Sequence, residues 1–333
     1  MNLLITGGSG YVGSRLTFDL LKNNKDIKII NYDLSLFGKA HLPKNNNYFY
    51  IEKDIRDKKS FKETLIKYNI DTVLHLACIS NDPTFTLKGE ISKKINYDCF
   101  EDLVKESKNS GVKKFIYAST CSVYGVSDSP NVTESSKLVP ITEYNKYKAL
   151  CEPILQDYLD NNFEGIIIRP ATVCGLSEKM RFDLSVNILT NFAYFKNYIN
   201  VFGGEQYRPN IHIDDMCSLY KQLINMSITL YNGQIYNAGH QNLKIMEIAK
   251  LVKQVMKENY HRDIDIRVTQ SEDIRSYQIN SDKIQNDLNF KFKKNVRNAI
   301  EDLCQAFATE KIVDSFSDKW INLKVLEKVN LNE

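Results

Sequence analysis

The stretch NLLITGGSGYVG, residues 2–13, decides the fold of this chain. Residues 3–5 form a short apolar run that indicates a buried strand, and an amphipathic helical pattern follows the glycines. Between the two, Gly8, Gly10 and Gly13 fit the spacing G-x-G-x-x-G. Glycines at these places let the backbone turn tightly and approach a pyrophosphate, whose charge then lies at the helix N-terminus. The stretch therefore predicts a strand, a phosphate-binding turn and a helix.

An acidic residue extends this prediction to the choice of cofactor. Asp33 closes the second predicted strand, where a carboxylate accepts hydrogen bonds from an adenosine ribose. The same carboxylate repels a 2′-phosphate, so the sequence favours NAD over NADP. A glycine-rich turn without a ligand is the competing interpretation, and the presence of strand, helix and acidic residue together argues against it.

A second motif predicts proton transfer. Tyr144 and Lys148 lie four residues apart on one face of a predicted helix, 141–159. A free tyrosine has a pKa of about 10, and a nearby ammonium or a positively charged nicotinamide favours the phenolate and lowers that value. Ser119 and Thr120 end a predicted strand, where a hydroxyl can orient a substrate alcohol. Tyr-x-x-x-Lys alone is more often structural, so its value here comes from the order of the motifs.

Strands and helices alternate as far as residue 170, which predicts an α/β fold of Rossmann type, a doubly wound parallel sheet. The predicted strands are 3–5, 27–32, 48–51, 73–76, 115–118 and 165–168, with helices at 57–68, 91–110 and 141–159. We divide the chain into a dinucleotide-binding domain, 1–170, and a smaller C-terminal substrate-binding lobe, 171–333, partly interleaved with the first. In the second half we expect strands near Val201, Ile211, Ile235 and Ile264, and helix throughout 296–328.

Composition excludes several other classes of protein. The 333 residues carry 44 basic and 41 acidic side chains, and this net charge of +3 argues against a nucleic-acid partner. No apolar run is long enough for a membrane helix. The seven cysteines are odd in number and form no C-x-x-C pair, which argues against a disulfide framework and a zinc site. We therefore expect a cytoplasmic protein without a metal.

The motifs together resemble a known family. In order they are TGGSGYVG (6–13), Asp33, DI (54–55), HLA (75–77), Asn96, STCSVYG (119–125), YNKYK (144–148), RPATVCG (169–175) and VFGGEQYRPNIHIDD (201–215). This order resembles the extended short-chain dehydrogenases, and among them the NAD-dependent nucleotide-sugar epimerases and dehydratases, of the UDP-galactose 4-epimerase and GDP-heptose 4-dehydrogenase types. The segment MRFDLSVNILT is also similar to relatives in bacterial surface-sugar pathways, including capsule synthesis.

The resemblance implies a role for individual residues. Tyr144 is implied as the base, Lys148 as its modulator and Thr120 as the hydroxyl that shares the substrate proton. The cofactor-binding residues it implies, with tightly bound NAD or NADH, are Gly7, Gly10, Tyr11, Val12, Gly13, Asp33, Asp54, Ile55, Leu76, Ala77, Asn96, Ser119, Tyr144, Lys148 and Pro170. The substrate-binding residues are Asn81, Cys121, Ser122, Thr172, Arg181, Asn187, Arg208 and Arg275. For Arg208 and Arg275 a surface salt bridge is the alternative.

The implied reaction is oxidation at C4 of the sugar of a GDP- or UDP-sugar, which leaves several outcomes open. Thr120-Cys121-Ser122 stands where the 4,6-dehydratases carry Thr-Asp-Glu, so dehydration is disfavoured. A 4-epimerase and a 4-dehydrogenase that releases the 4-keto sugar both fit. Alternatives are a 4-keto-sugar reductase, a 3,5-epimerase that uses Cys121, and a dinucleotide sensor without activity. The resemblance also implies a homodimer that packs two helices of each subunit, 91–110 and 141–160, into a four-helix bundle.

Overall fold

The computed structural model describes residues 1–23, 26–80, 82–270, 275–329 and 331. In these ranges the strands are β1 (Asn2–Thr6), β2 (Lys28–Asp33), β3 (Tyr48–Glu52), β4 (Thr72–His75), β5 (Lys114–Ala118), β6 (Glu164–Pro170), β7 (Thr172–Cys174), β8 (Tyr198–Phe202), β9 (Tyr207–His212), β10 (Ile235–Ala238), β11 (Gln241–Lys244) and β12 (Asp265–Thr269).

The helices are α1 (Tyr11–Asn23), α2 (Lys58–Lys67), α3 (Asp82–Leu87), α4 (Gly89–Lys93), α5 (Phe100–Asn109), α6 (Glu143–Tyr158), α7 (Ser185–Lys196), α8 (Ile213–Asn225), α9 (Ile245–Tyr260), α10 (Asp282–Leu288), α11 (Val296–Ala308) and α12 (Asn322–Lys328). A π-helical turn, Lys94–Asp98, joins α4 to α5, and a 3₁₀ turn, Cys121–Tyr124, follows β5. No helix in these described parts is long and apolar enough to span a membrane.

Seven strands form one parallel sheet in the order β10-β6-β5-β4-β1-β2-β3. Both faces of this sheet are covered, as the alternation in β1 shows. Leu3 and Ile5 pack into one core cluster and Leu4 into the other. The chain order reverses between β1 and β4, and such a crevice at the carboxyl ends of parallel strands is where ligands bind. The predicted Rossmann-type fold is confirmed.

The second half of the chain adds a smaller unit around two small sheets. Their strand orders are β11-β9-β7 and β12-β8, and α7, α9 and α11 pack around a third core cluster with β8. One strand of this half, β10, returns to the large sheet and pairs in parallel with β6. The chain therefore crosses between the two units several times.

Two local predictions differ from the structure, and three short elements were not predicted. The helix predicted throughout 296–328 is wrong, because α11 ends at Ala308 and Glu310 turns left-handed at φ 53 before a loop leads to α12. The helix predicted over 91–110 is interrupted by the π-helical turn. Three elements were not predicted at all, namely β7, β11 and α3. Each is too short for a periodic pattern to develop.

Candidate functional site

A cavity of about 790 Å³ lies at the carboxyl ends of the parallel strands. Both halves of the chain line it, because β4 and β5 end at its floor while the loop after β7 and residues from β8 and β9 form the opposite wall. The predicted residues that line it are Gly7, Gly10, Tyr11, Val12, Gly13, Asp33, Asp54, Ile55, Leu76, Ala77, Ser119, Thr120, Ser122, Tyr144, Lys148, Pro170, Thr172, Arg181, Arg208 and Arg275. The predicted Asn81 lies outside the described residues.

The glycine turn forms one end of the cavity. Gly7 has φ 72, and a side chain there would place its Cβ 2.6 Å from the backbone nitrogen of Ala77. The turn closes through a hydrogen bond from Gly10 N to Gly7 O, 3.1 Å, and α1 begins at the next residue. The first N–H groups of a helix have no acceptor within the helix, so the N-terminus of α1 presents donors to the cavity.

Asp33 lies next to this turn at the end of β2. Its carboxylate accepts hydrogen bonds from the backbone nitrogens of Ser9 (2.9 Å) and Ser35 (2.6 Å). Burial raises the pKa of Asp33, while these two backbone donors oppose that shift. The fixed carboxylate and the helix N-terminus lie at the same end of one cavity, so the residues fit the ribose and the diphosphate of a dinucleotide.

The predicted proton-transfer residues meet further along the cavity. Tyr144 and Lys148 project from the first two turns of α6. The Nζ of Lys148 donates a hydrogen bond to the carbonyl oxygen of Ala118 (2.7 Å). Thr120 caps the 3₁₀ turn, since its Oγ1 accepts a hydrogen bond from Ser122 N (3.1 Å). This bond uses an acceptor site on the hydroxyl, whose own proton can still be donated to a substrate oxygen.

Burial dominates the electrostatics of Tyr144. Burial raises the pKa of the phenol well above its usual value, and the neighbouring Cys78 and Asp82 raise it further. Arg181 is the cation that opposes this shift. The lowering predicted from Lys148 together with the nicotinamide ring concerns the cofactor-bound site and stays a prediction, while in the protein alone burial outweighs the effect of Arg181.

A buried polar network lies beneath these residues. Ser119 Oγ donates to Glu152 Oε1 (2.6 Å), and Glu152 accepts two hydrogen bonds from Arg169, at 2.9 and 2.6 Å. Arg169 also donates to the hydroxyl of Tyr124 (2.7 Å), which donates to Asn237 Oδ1 (2.7 Å). Glu152 was not among the predicted residues, although its position four residues after Lys148 places both on one face of α6. The network fixes β5, α6, β6 and β10 relative to one another.

Arg181 joins two walls of the cavity. Its guanidinium makes a two-pronged contact with Asp183, 3.0 Å for each pair of atoms, and donates to Ser80 Oγ (3.1 Å). The side chain of Asn322 in α12 donates to the same Ser80 oxygen (3.2 Å). The C-terminal helix thus forms part of the wall beside Tyr144, which the sequence did not predict.

The two arginines predicted to bind the substrate diphosphate lie together. Arg208 donates hydrogen bonds to the carbonyl oxygens of Tyr207 (2.9 Å) and of Arg275. Arg275 forms an ion pair with Asp82 at the start of α3. The structure therefore brings the two residues into contact, and both line the cavity.

Three predicted residues lie behind the wall of the cavity. Asn96 hydrogen-bonds both the nitrogen (2.8 Å) and the oxygen (2.9 Å) of Ile79. Asn187 accepts from Gly175 N (3.0 Å) and is buried against Tyr11. The thiol of Cys121 donates to the carbonyl oxygen of Arg169 (2.8 Å), and burial raises its pKa. These contacts shape the wall, and direct contact of the three residues with a ligand stays a prediction.

Comparison with known proteins gives the following matches. The model of the NAD dependent epimerase/dehydratase family matches residues 3–239. The dTDP-D-glucose 4,6-dehydratase of Mus musculus is 28% identical over 264 residues, which cover 77% of this chain and 73% of that protein. The UDP-glucose 4-epimerase of Rhizobium meliloti (strain 1021) is 24% identical over 284 residues, which cover 78% of this chain and 83% of that protein.

Solved structures show the same fold. The UDP-glucose 4-epimerase of Thermotoga maritima, crystallised with UDP-glucose, superposes with a TM-score of 0.81 at 22% identity and covers 94% of this chain and 100% of that one. The UDP-glucuronic acid 4-epimerase of Bacillus cereus, in complex with UDP-glucuronic acid and NAD, superposes with a TM-score of 0.81 at 23% identity, covering 93% and 100%.

Proposed function

The chain belongs to the NAD-dependent epimerase/dehydratase family, and from that premise we propose that it oxidises the C4 hydroxyl of a nucleoside-diphosphate sugar. One observation supports this proposal above the others. Tyr144, Lys148 and Thr120 line the same cavity as the glycine turn and Asp33. The residues proposed for proton transfer and those proposed to bind the nucleotide thus share one cavity.

The residues that would hold the cofactor are those at the dinucleotide end. The N-terminus of α1 would bind the diphosphate, Asp33 the adenosine ribose and Lys148 the nicotinamide ribose. NAD, when bound, supplies the two-electron acceptor that oxidation of an alcohol to a ketone requires. Asp33 would repel a 2′-phosphate, which is why a 4-keto-sugar reductase that uses NADPH is a weaker alternative.

Tyr144 would exchange the proton of the sugar hydroxyl. Its raised pKa keeps the phenol protonated, the form that returns a proton to a 4-keto oxygen. Accepting a proton requires the phenolate, and the positive charge of Arg181 favours that form. Thr120 would donate its own hydrogen to the sugar oxygen and so hold this atom against Tyr144.

The proposed oxidation can end in either of two products, a C4 epimer of the nucleotide sugar or a released 4-keto sugar. The Cys121 thiol is buried and hydrogen-bonded to a backbone carbonyl, so it is a poor acid–base group for dehydration or for 3,5-epimerisation. Arg208 and Arg275 would bind the diphosphate of a GDP- or UDP-sugar. We place the reaction in the synthesis of a bacterial surface polysaccharide, on the likeness of residues 180–190 to such relatives.

The test incubates the purified protein with GDP-, UDP-, dTDP- and CDP-sugars in deuterium oxide and follows the products by NMR. A C4 epimer without net NADH identifies an epimerase, and a 4-keto sugar with NADH identifies a dehydrogenase. Tyr144→Phe should lower turnover by about 100-fold or more without loss of cofactor binding. Tyr147→Phe is the matched control, since Tyr147 stacks on Tyr97 instead of lining the cavity. Equal turnover of Tyr144→Phe and wild type would refute the mechanism.

We also propose a homodimer through α5 and α6. The exposed Leu150, 39% accessible on α6, would lie in that interface and bring the subunit contact close to Tyr144. Light scattering at micromolar concentration checks this, and the mass of a single 38.5 kDa chain would contradict it.

A further inference from the structure

A buried lysine lies on the dinucleotide side of the cavity. Lys179, in the loop between β7 and α7, is 1% exposed and lines the cavity. Its Nζ donates hydrogen bonds to the carbonyl oxygens of Met180 (2.9 Å) and Lys319 (3.0 Å). The same atom lies 4.5 Å from the ring centroid of Phe37. In the ranges that the structure describes, no carboxylate forms an ion pair with this ammonium.

Such an environment is costly for a charged group. An ammonium taken out of water loses several kcal/mol of hydration, and carbonyl oxygens return only part of it. Burial and, to a lesser extent, Arg181 lower the pKa of Lys179 to about 7, while Asp183 opposes the shift. Of the three N–H donors of this ammonium, hydrogen bonds among the described residues use two, and the Phe37 ring lies beside the group. The group is thus suited to an anion that enters the cavity.

The surroundings of Lys179 indicate which anion this is. Its backbone nitrogen donates to Ser14 Oγ (3.3 Å), and the neighbouring Ser177 donates to the carbonyl oxygen of Tyr11 (2.7 Å). The loop therefore rests on the first two turns of α1, while Phe37 follows the end of β2. The backbone of Lys179 thus contacts α1, whose N-terminus would bind the diphosphate, and its ammonium lies against Phe37, four residues after Asp33.

We propose that Lys179 is a further cofactor-binding residue whose ammonium pairs with the diphosphate of the dinucleotide. This inference rests on the proposed function, since it requires a dinucleotide in the cavity. The diphosphate stabilises the charged form of Lys179, so binding takes up a proton from solution. His41 faces Lys179 from the β2–β3 loop, and burial lowers the pKa of its imidazole. It is present in wild type and in every Lys179 variant as a second titrating group.

Proton uptake can be measured without any turnover. Isothermal titration calorimetry is run at pH 6, 7 and 8 in two buffers of different ionisation enthalpy, on protein freed of nucleotide carried through purification. The probes are ADP-ribose, which has the diphosphate, and adenosine, which lacks it. The variants are Lys179→Met and Lys179→Arg, with the exposed Lys291→Met as control.

For wild type we expect ADP-ribose to take up protons in an amount that rises from pH 6 to pH 8, because the free ammonium loses its proton in this range. Lys179→Met should bind ADP-ribose about 10- to 100-fold more weakly, as for a lost charge-assisted hydrogen bond, and bind adenosine unchanged. Lys179→Arg should bind ADP-ribose without the added uptake, because arginine stays protonated. Lys291→Met should match wild type.

Two results would overturn the inference. One is a Lys179→Met protein with wild-type affinity and uptake for ADP-ribose. The other is equal proton uptake on binding of ADP-ribose by Lys179→Arg and by wild type. This second result can be obtained even if the methionine variant fails to fold. If wild type binds neither NAD nor ADP-ribose, the proposed function fails instead, so the two failures are distinguishable.

Discussion

Replacing Glu152 with glutamine should destabilise the protein strongly. The carboxylate of Glu152 and the guanidinium of Arg169 are each 3% exposed and share two hydrogen bonds, at 2.9 and 2.6 Å. Glutamine keeps the size of the side chain but leaves the charge of Arg169 buried without a counter-ion. Breaking one partner of a buried pair costs about 3–5 kcal/mol. Arg169 keeps its bond to Tyr124, so we expect about 3 kcal/mol.

Urea unfolding followed by circular dichroism measures this loss. Glu327→Gln is the matched control, because the Lys324–Glu327 pair is exposed and should change the free energy of unfolding by less than about 0.5 kcal/mol. The double replacement Glu152→Met and Arg169→Met should recover much of the loss, since no unpaired charge remains. A change below about 1 kcal/mol for Glu152→Gln, with an unchanged urea dependence, would refute the reasoning.

Two further predictions concern single positions near the cavity. Gly125 has φ 66, and a Cβ there would overlap the carbonyl oxygen of Val139, so Gly125→Ala should cost about 2 kcal/mol or more. Gly111→Ala is the control, because Gly111 also has a positive φ, 85, but a Cβ there would meet open space. We expect a smaller loss in the free energy of unfolding for this variant in the same assay. Equal losses for the two variants would contradict the steric argument. Asp33→Ser should raise the affinity for NADP relative to NAD, measured as a ratio of dissociation constants, and an unchanged ratio would show that Asp33 does not select the cofactor.

The parts of the site that the sequence predicted depend on local spacing. Gly10 immediately precedes helix α1, and Asp33 is the last residue of strand β2. Tyr144 and Lys148 are four residues apart on helix α6, so each pattern is contained in one short segment. The alternation of strands and helices is equally local, which is why the fold class was predictable. The boundaries of the elements and short elements such as β7 were not predictable, because three residues are too few to show a hydrophobic period.

The remaining features join residues that are distant along the chain. Arg275 pairs with Asp82 across 193 residues, and nothing near either one indicates the other. The sequence predicts Tyr144 as an acid–base group, yet the pKa of its phenol is raised by burial, which only the assembled fold determines. Lys179 was likewise one lysine among many until the packing showed that it is buried.

The late strand β10 has a consequence for the order in which this chain can fold. Until Ile235–Ala238 has been synthesised, β6 is an edge strand, and its consecutive residues Ile166, Ile167 and Ile168 have no strand on one side. Exposed apolar edges pair readily with other chains. A fragment that ends after residue 175 contains the glycine turn and Tyr144, but it should aggregate. Completion of the first sheet is therefore tied to synthesis of more than two thirds of the chain.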